Sequence, residues 1–498
     1  MRKLSLLMIL LLAACYSKQR SGQVVILHTN DMHSQFLPAP ATWVQGSPKP
    51  LVGGMEALDY FVRRQREEHP NSVLLLDAGD FTTGTLLSRI VYNGGYNGGF
   101  IEMMNLVGYQ AVTLGNHEFD EGQENLLRTL ELLQADVLTS NWKMRGKRPG
   151  MLYRIYRLGG LRVGVIGLLM SDLASVTAEK HLDGVRIEPP ATAAQRLIDR
   201  IDGKTDLIVL LTHQGIENDI ELARSVRRAD VIVGGHSHSL LRKPLRENGV
   251  LIVQTGSSLR AMGKLTLDVA GDSVSGWNYE LINLWADSVR GVNPPMRALV
   301  ERFSDEINAQ YGQVIGRLET DWLSSGGGET NIGNYISDVI RSATHTEIAF
   351  MNSGGIRKSL PAGPIRLLDI WEILPFSNYL VTFELTGDQL QQIITTDVNE
   401  NIQKGGGLLQ ISGMSYTFQR TAEGTGKVLE LRIGGEAVDP SRTYRAATVD
   451  FIFDKWQQDY VFQNVERTSI LIAEAVIEQI KREQQIRSQV EGRIRQVN

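Results

Sequence analysis

The feature that most constrains this sequence is a series of short apolar runs, each of which ends in Gly, Asn, Asp or His. Stretches of helical character separate the runs, and this alternation is typical of β and α elements that follow one another in turn. Continuous runs of Val, Leu and Ile indicate strands that are buried on both faces, and therefore a sheet covered by helices. The runs are residues 24–31, 72–80, 111–118, 163–169, 206–213, 230–238 and 251–257.

The stretches between the runs predict amphipathic helices. Residues 55–66 and 124–134 carry apolar side chains three to four positions apart and end in polar clusters. Of the 498 residues, 42% are hydrophobic and 21% are charged, which are ordinary proportions for a globular chain that buries a large core. The first part of the chain is therefore predicted to be a layered α/β unit.

A second unit is predicted after the breaker Asn293-Pro294-Pro295. Helical periodicity follows it and predicts a connecting helix over residues 296–311. Beyond this helix strand and helix signals are mixed, glycine triplets predict loops at 326–328 and 405–407, and a closing helix is predicted near 469–490. The predicted limits are 1–14 for a signal peptide, 15–23 for a tether, 24–285 for the first domain, 286–315 for a linker with a helix, and 316–498 for the second domain.

The N-terminus has the pattern of an export signal. Arg2 and Lys3 precede an apolar run of about eleven residues, too short for a membrane-spanning helix, which needs about twenty. Cys15, the single cysteine of the chain, follows small residues in a stretch that resembles the lipobox of bacterial lipoproteins. The resemblance implies lipidation of Cys15 and an exported protein anchored to a bacterial membrane, in the periplasm or at the cell surface. An ordinary cleavage site with Cys15 there by chance is the alternative.

The charge balance excludes one class of partner. The chain has 51 Lys and Arg against 56 Asp and Glu, a net charge of −5. Proteins that bind duplex DNA or RNA carry a basic footprint, so no nucleic-acid duplex is expected as a partner. No obligate protein partner is inferred from the sequence.

Polar side chains at the ends of five runs are the candidates for chemistry. In open α/β sheets, ligand-binding groups gather outside the carboxyl ends of strands, so these side chains can converge in one crevice. Five of the nine histidines belong to the set. The residues are Asp31, His33, Asp80, Asn116, His117, His213, His236 and His238.

The residue types in this set indicate metal ions. The pairs Asp31/His33 and His236/His238 are expected to project to one side of extended backbone. Carboxylate, amide and imidazole donors without thiolates suit Mn, Fe, Co, Ni or Zn, and eight donors are too many for a single ion. Two ions about 3.5–4 Å apart can generate a hydroxide at neutral pH and hold a phosphoryl group for in-line attack. A single His or Asp at a strand end is more often a cap or a loop residue, so only the whole set indicates a metal centre.

The motifs at these strand ends resemble the calcineurin-like metallophosphoesterases. With the second domain, residues 24–465 resemble the bacterial 5′-nucleotidase family, which includes UDP-sugar hydrolases and 2′,3′-cyclic phosphodiesterases. The resemblance implies a four-layer α/β/β/α metallophosphoesterase domain, a linker helix and a C-terminal α+β substrate-binding domain. The motifs are DMH (31–33), GD (79–80), GNHEFD (115–120), TH (212–213) and GHSH (235–238).

The resemblance also implies roles for individual residues. His117 matches a histidine that hydrogen-bonds the phosphoryl oxygen in the transition state, and Asp120 matches the carboxylate that orients it. The alternative for Asp120 is an N-cap ahead of the helix over 121–133. Two divalent ions of Zn, Mn, Fe, Co or Ni type are implied, one held by Asp31, His33, Asp80 and His238, the other by Asp80, Asn116, His213 and His236.

In the second domain, three segments match the same family: ETNIGNYISD (329–338), NSGGIR (352–357) and LPFSN (374–378). The resemblance implies that Arg357 contacts the substrate and that Phe376 and Phe451 stack on the base, and we assign Asn352 to substrate binding with them. An arginine after a Gly-Gly turn can present its fork to an anion, and a Phe face can cover a purine. A surface arginine and a buried Phe are the alternatives.

The sequence departs from the family pattern at two loops. The family often has an arginine ahead of the E-T-N segment, where this chain has residues 323–328, Leu-Ser-Ser-Gly-Gly-Gly. A Gly-Gly-Asp-Gly stretch is replaced by residues 457–460, Gln-Gln-Asp-Tyr, so that Asp459 is the candidate for the ribose hydroxyls at a longer spacing.

The predicted function is a lipid-anchored two-metal phosphoesterase that hydrolyses extracytoplasmic nucleotides. The expected substrates are 5′-mononucleotides, cleaved to nucleoside and phosphate by attack of a metal-bridging hydroxide. The altered loops keep open a UDP-sugar diphosphatase or a 2′,3′-cyclic-nucleotide phosphodiesterase. A non-catalytic nucleotide-binding or adhesive lipoprotein is a third hypothesis, which the complete set of ligand positions opposes.

Overall fold

A computed structural model of the protein describes residues 20–41, 43–45, 48–324, 327–404 and 407–497. The predicted signal peptide, Cys15 and parts of both glycine triplets lie outside the described residues. The chain divides into two compact units between Ser304 and Asp305, and each unit is described by itself. No helix in the described ranges is long and apolar enough to span a bilayer.

A strand forms in each of the seven apolar runs, and all seven strands lie in the first unit. Its helices are α1 (Met55–Glu68), α2 (Gly98–Val107), α3 (Gly122–Leu132), α4 (Pro190–Ile201) and α5 (Ile216–Ser225), and α6 (Pro294–Tyr311) runs across the division between the units. Its strands are β1 (Ser21–Thr29), β2 (Ala39–Pro40), β3 (Leu51–Val52), β4 (Val73–Asp77), β5 (Val91–Tyr92), β6 (Gly95–Tyr96), β7 (Ala111–Val112), β8 (Asp136–Val137), β9 (Trp142–Met144), β10 (Arg154–Leu158), β11 (Leu161–Leu169), β12 (Val185–Ile187), β13 (Leu207–His213), β14 (Val231–Val233), β15 (Leu245–Glu247), β16 (Val250–Val253), β17 (Ala261–Ala270) and β18 (Val274–Asn283).

Two six-stranded sheets form the centre of the first unit. Their strand orders are β18-β17-β1-β4-β7-β8 and β10-β11-β13-β14-β16-β15. In the first sheet β1, β4, β7 and β8 run parallel, and in the second β11, β13, β14 and β16 do. The carboxyl ends of these strands therefore lie at one edge of each sheet.

The sheets pack face to face, and this explains the continuous apolar runs. Val24 and Ile26 of β1 share one buried core with Val209 and Leu211 of β13. On its other face β13 packs against α4 and α5, so all seven of its residues are buried. The apolar runs predicted helices on both faces of the sheet. Helices cover only one face of each sheet, because the other faces of the two sheets pack against each other. The layered α/β fold is confirmed.

Several elements differ in length from their predictions. The helix predicted over 124–134 begins two residues earlier and ends at Leu132. The run 111–118 contributes only the two residues of β7, because its polar end leaves the sheet as a loop and a short 3-10 turn, His117–Phe119. The predicted closing helix near 469–490 is shorter, since it ends where Gln484 adopts a left-handed backbone with φ of 62°.

The second unit combines strands and helices around one core. Its helices are α7 (Asn331–Thr344), α8 (Leu367–Ile373), α9 (Gly387–Lys404), α10 (Asp450–Asp459) and α11 (Ile472–Glu483). Its strands are β19 (Val314–Leu318), β20 (Ile348–Met351), β21 (Gly363–Arg366), β22 (Tyr379–Thr386), β23 (Gln410–Ser412), β24 (Met414–Arg420), β25 (Gly426–Ile433), β26 (Glu436–Ala437), β27 (Thr443–Val449), β28 (Gln463–Leu471), β29 (Gln485–Ile486) and β30 (Ile494–Val497).

The main sheet of this unit has five strands in the order β23-β20-β27-β22-β28. Helix α7 starts at a side-chain cap, because the Thr330 hydroxyl oxygen accepts a 3.0 Å hydrogen bond from the Gly333 N–H. One face of α7 is apolar, and Ile336 and Ile340 join Phe350 of β20 in the core. The loop of Asn352 and Arg357 begins directly after β20, and the loop of Phe376 begins directly after α8.

One buried polar group stands out in the first sheet. His28 of β1 is fully buried, and neither of its ring nitrogens has a hydrogen-bond partner among the described residues. The residue opposite is Gly263, where a Cβ atom would lie only 2.0 Å from Nε2 of His28. Burial lowers the pKa of His28 to about 3, because the cationic ring would lose its hydration without gaining a partner.

This histidine predicts an acid-sensitive stability. The unfolded chain binds the His28 proton with a pKa of about 6.5, whereas the folded chain does not, so the free energy of unfolding falls as the pH drops below 6.5. His28 contributes a loss of about 2 kcal/mol between pH 7.5 and pH 5. We expect His28→Phe to remove this component and leave a flatter stability curve.

Urea unfolding followed by tryptophan fluorescence across this pH range measures the effect. His69→Gln, at a half-buried histidine just after α1, is the control and should keep the dependence of the wild type. If His28→Phe and wild-type curves run parallel, the buried ring is not the acid-sensitive group.

Candidate metal centre

The predicted ligands come from loops that the strand ends hold together. The Asp31 N–H donates to the Gly79 carbonyl at 2.9 Å, and the His33 N–H donates to the Asp80 carbonyl at 3.0 Å. The His236 N–H reaches the Asp31 carboxylate at 3.0 and 3.1 Å. These bonds join the loops after β1, β4 and β14 before any metal is considered.

One donor group consists of Asp31, His33 and His238, whose ligand atoms lie within 4.8 Å of one another. The Nε2 atoms of the two histidines are 3.0 Å apart, and Nε2 of His238 lies 3.5 Å from Oδ1 of Asp31. Two imidazole nitrogens and a carboxylate oxygen that point toward one position are typical of a cation site.

A second donor group consists of Asp80, His213 and His236. Nε2 of His213 is 3.1 Å from Oδ2 of Asp80, and Nδ1 of His236 is 3.0 Å from Oδ1 of Asn116. Asp80 also forms a group with His33 and His117, so its carboxylate lies between the two sets. The structure thus brings all seven predicted ligand side chains together.

The hydrogen bonds of the histidines test whether this donor set fits metal ions. Nδ1 of His33 lies 3.0 Å from the Thr83 carbonyl and Nδ1 of His213 lies 2.7 Å from the Ala78 carbonyl. A carbonyl only accepts, so each Nδ1 carries a proton and each Nε2 turns to the cluster, the usual arrangement of histidine ligands. Nε2 of His213 is buried and has no hydrogen bond of acceptable geometry. The residues therefore fit divalent cations.

The pKa shifts of the buried Asp80 and His213 side chains show that this centre favours positive charge. Burial alone would raise the pKa of Asp80, but the neighbouring His213 and His117 rings hold it well below its usual range. Burial likewise opposes protonation of His213, yet Asp80 and Asp31 raise its pKa to about 10. Burial and the His213 charge lower the pKa of His236 to about 4. A proton on His213 therefore occupies a place that a metal ion would take over.

The prediction that the Asp31/His33 and His236/His238 pairs lie on extended backbone is wrong. All of the Asp-x-His and His-x-His ligands, together with Asp80, adopt the left-handed conformation, which costs a residue other than glycine about 1–3 kcal/mol. Strain of this kind persists only where surrounding bonds hold it. The φ angles are 49° for Asp31, 50° for His33, 57° for Asp80, 80° for His236 and 52° for His238.

Glu118 holds the ligand loops after β4 and β7, and no role was predicted for it from the sequence. It is 3% exposed and its carboxylate accepts from the N–H groups of Asp80 at 3.0 Å, Thr82 at 3.1 Å and Gly115 at 2.6 Å. Gly115 leaves room for the centre, because a Cβ there would lie 2.2 Å from Oδ1 of Asp80. An acidic residue inside GNHEFD was the available signal, but two of its three partners, Asp80 and Thr82, are 38 and 36 residues away in the chain.

Asn30 is a second residue of this kind. Its Nδ2 donates to Oδ2 of Asp31 at 2.6 Å, and its Oδ1 accepts from the Thr255 N–H and hydroxyl, both at 2.8 Å. It is 2% exposed, so the buried amide ties the Asp31 loop to the segment after β16.

His117 and Asp120 form the pair that the resemblance implies. Nδ1 of His117 lies 2.7 Å from Oδ2 of Asp120, and Nε2 lies 3.9 Å from Oδ2 of Asp80. The N-cap position of α3 is Glu121, so Asp120 does not take the alternative role of a helix cap. The carboxylate instead orients the ring beside the donor groups.

In the second unit the structure places Arg357 and Phe376 together. The Arg357 guanidinium lies over the Phe376 ring, 5.9 Å from its centroid. Asn352 begins the same loop, and its buried Oδ1 has no hydrogen-bond partner among the described residues. These side chains can present a cation, an aromatic face and an amide to one ligand.

Phe451 and Asp459 do not meet on the surface of α10. They are eight residues apart, which corresponds to about 12 Å along a helix. The Phe451 ring contacts the Lys455 ammonium, which lies 4.2 Å from its centroid, and Asp459 is exposed at the end of the helix. Residues 457–459 are helical, so Asp459 does not lie in a loop beside Phe451. The structure therefore does not place Asp459 where the prediction of a contact to the ribose hydroxyls requires it.

Comparison with known proteins assigns the family. Residues 24–240 match the calcineurin-like phosphoesterase family, and residues 314–464 match the 5′-nucleotidase C-terminal domain. Protein 5NUC of Lutzomyia longipalpis is 30% identical over 475 residues, which cover 83% of this chain and 80% of that protein. The chain belongs to the 5′-nucleotidase family.

Further members of the 5′-nucleotidase family resemble this chain over most of its length. Protein UshA of Escherichia coli (strain K12) is 28% identical over 494 residues, 88% of this chain and 86% of UshA. The crystal structure of a 5′-nucleotidase precursor from Thermus thermophilus has a TM-score of 0.87 and 27% identity, and it covers 96% of this chain and 99% of that one. Membership makes the protein a metal-dependent phosphoric ester hydrolase that uses two divalent metal ions.

Proposed function

We propose that the protein hydrolyses 5′-mononucleotides to nucleoside and phosphate. The observation that carries this proposal is the pair of donor groups around Asp80 with His117 beside them. The names of relatives, a 5′-nucleotidase precursor among them, support nucleotides as the substrate class. In this proposal residues 24–285 form the catalytic domain, 286–315 the linker and 316–498 the nucleotide-binding domain.

The proposed ligand sets share Asp80. Asp31, His33 and His238 would complete one set, and Asn116, His213 and His236 the other. Bound there, the two ions would acidify the attacking water and offset the charge of the phosphoryl oxygens. Two observations support these ligand sets. The donor atoms of each group lie within 4.8 Å of one another, and the rings of His33 and His213 are oriented with Nε2 toward the cluster.

His117 is proposed to donate a hydrogen bond to a phosphoryl oxygen as negative charge develops. Asp120 accepts from Nδ1 of this ring, which stabilises the doubly protonated form that donates from Nε2. The 11% exposure of the His117 side chain keeps competing water away from it. Its neighbour Asn116, rather than His117, is the proposed ligand in this loop.

Loss of this donor should slow turnover without emptying the centre. We expect His117→Ala to lower kcat by about 10²–10⁴-fold, because a positioned acid contributes about that factor. The metal content, measured by elemental mass spectrometry, should stay near that of the wild type. His69→Ala is the control and should keep both values. A His117→Ala variant that loses its metal would show that the ring is a ligand instead.

The second unit is proposed to bind the nucleoside part of the substrate. Arg357 and Asn352 offer polar contacts, while Phe376 and Phe451 offer faces for the base. The Phe451 face that Lys455 covers is not free for stacking, so we propose that the base uses its opposite face. Asp459 is left out of this proposal because the helix carries it away from Phe451.

A panel of phosphoesters tests substrate class and metal dependence together. It compares a 5′-mononucleotide, a UDP-sugar, a 2′,3′-cyclic nucleotide and p-nitrophenyl phosphate, before and after chelation and with Mn²⁺ added back. We expect chelation to abolish phosphate release, Mn²⁺ to restore it, and the mononucleotide to have the highest kcat/KM. The base-free ester should fall well below it, because it lacks the contacts of the second unit.

The same panel distinguishes the alternatives. Residues 457–459 are helical, whereas the family pattern has a glycine-rich loop at this place. This difference favours a diphosphatase or a cyclic phosphodiesterase as the second candidate. Faster hydrolysis of the UDP-sugar or the cyclic nucleotide would establish it. If the metal-loaded protein hydrolyses none of these substrates, with nucleoside, UMP, ring-opened nucleotide and p-nitrophenol all followed as products, a binding or adhesive lipoprotein becomes the correct account.

Export and lipid anchoring are also proposed. They are supported by the charged start, the short apolar run and the small residues before Cys15, which lies outside the described residues. An acylated Cys15 would hold the protein at a bacterial membrane, in the periplasm or at the cell surface. Mass spectrometry of the mature N-terminus tests this, and an unmodified Cys15 would contradict the anchor.

A further inference from the structure

A buried amide contacts the loop that carries His236 and His238 from one side. Gln254 follows β16 directly and is fully buried. Its Nε2 donates to the Gly235 carbonyl at 3.0 Å. Its Oε1 accepts from the Ser237 hydroxyl at 3.0 Å and from the Ser239 N–H. The residues that it contacts therefore alternate with the two histidines along the loop.

The loop needs such a partner because its backbone is strained. His236 and His238 have φ angles of 80° and 52°, in the region that residues other than glycine avoid. Ser237 between them is exposed, so water competes for the polar groups of the loop on its outer side. On the inner side, the three hydrogen bonds to the buried amide hold the loop together with the bonds from the His236 N–H to the Asp31 carboxylate.

Gln254 is itself tied to the first ligand loop. The next residue, Thr255, donates from its N–H and its hydroxyl to Oδ1 of Asn30, both at 2.8 Å. Asn30 in turn donates to Oδ2 of Asp31 at 2.6 Å. The segment after β16 offers no predicted ligand, yet it connects the loop of the two histidines to the loop of Asp31.

We propose that Gln254 is a positioning residue that holds His236 and His238 in the conformation that binds metal. The role rests on the proposed metal centre and adds to it a residue that touches no ion. The amide presents a donor and an acceptor together at this position, whereas an ionised carboxylate cannot donate to the Gly235 carbonyl and a thioether cannot donate and accepts only weakly. Residues that orient ligands in this way usually alter metal affinity about 10–100-fold when replaced.

Gln254→Met tests the proposal, because it keeps the length of the side chain, removes the donor to the Gly235 carbonyl and replaces the amide oxygen with a weakly accepting sulfur. We expect the affinity for Mn²⁺, measured by titration calorimetry on chelator-stripped protein, to fall at least tenfold. The visible absorption of the Co²⁺-loaded variant should change as well, since it reports ligand geometry at the ion. A merely structural residue would alter the melting temperature but neither of these readouts.

Gln410 provides a matched control in the second unit. It is fully buried, its Oε1 accepts from the Thr330 N–H at 2.8 Å and hydroxyl at 2.9 Å, and its Nε2 donates to the Leu408 carbonyl at 3.0 Å. Its Nε2 also donates to the Gly328 carbonyl at 2.9 Å and to the Ser353 hydroxyl oxygen at 3.1 Å. Gln410→Met thus loses more hydrogen bonds than Gln254→Met, at a site far from the proposed ligands in the sequence. It should cost at least as much stability and leave Mn²⁺ affinity within a factor of two of the wild type.

A milder variant covers the case in which Gln254→Met fails to fold. Ser237→Ala removes the hydroxyl donor to Gln254 from an exposed side chain, and we expect a smaller drop in Mn²⁺ affinity in the same direction.

The outcomes separate this inference from the metal centre itself. A folded Gln254→Met protein that binds Mn²⁺ as tightly as the wild type overturns the inference alone, and so does an equal loss of affinity in Gln410→Met. If Gln254→Met does not fold, unchanged affinity in Ser237→Ala overturns it. A wild-type protein that takes up no Mn²⁺ overturns the metal centre, and the positioning role with it.

Discussion

A carboxylate that is removed from water needs cations or hydrogen-bond donors around it, because an unpaired buried charge costs several kcal/mol. Asp80 is 1% exposed and receives that compensation from several loops. The His117 N–H donates to its Oδ1 at 2.8 Å, and Nε2 of His213 lies 3.1 Å from its Oδ2. The loops after β4 and β7 and the carboxyl end of β13 therefore meet at one carboxylate. The demand for positive charge at this point makes the site suitable for metal ions.

The donor atoms are held by residues that are not themselves proposed ligands. Glu118 accepts from the Asp80 and Gly115 loops, Asn30 binds Asp31, and Gln254 binds the loop of His236 and His238. All three are buried side chains with several hydrogen bonds each. They stabilise left-handed ligand residues whose backbone would otherwise relax. Catalytic geometry in this fold therefore depends on polar groups behind the ligands.

The sequence predicted that these candidate side chains lie close together, because buried parallel strands leave a plain signal. Apolar runs end abruptly in Asp, Asn or His, and the parallel order places those ends at one edge. The apolar runs alone could not predict that a second sheet covers one face of each strand, since Val209 and Ile208 look alike in a continuous run. Only the family resemblance implied the two stacked sheets of an α/β/β/α domain. Gln254 and Asn30 were missed for a related reason. Their partners lie 19 and 225 residues away, and nothing local distinguishes a buried amide from an exposed one.

The central claim is that Asp80 is shared by two ions. Metal content per chain, measured by elemental mass spectrometry on wild type and Asp80→Asn, tests it most directly, with Asp120→Asn as a control that changes a carboxylate outside both ligand sets. The account predicts two divalent ions per wild-type chain, a loss of both in Asp80→Asn and two ions in Asp120→Asn. Two ions retained in Asp80→Asn, or a single ion in the wild type, would contradict it.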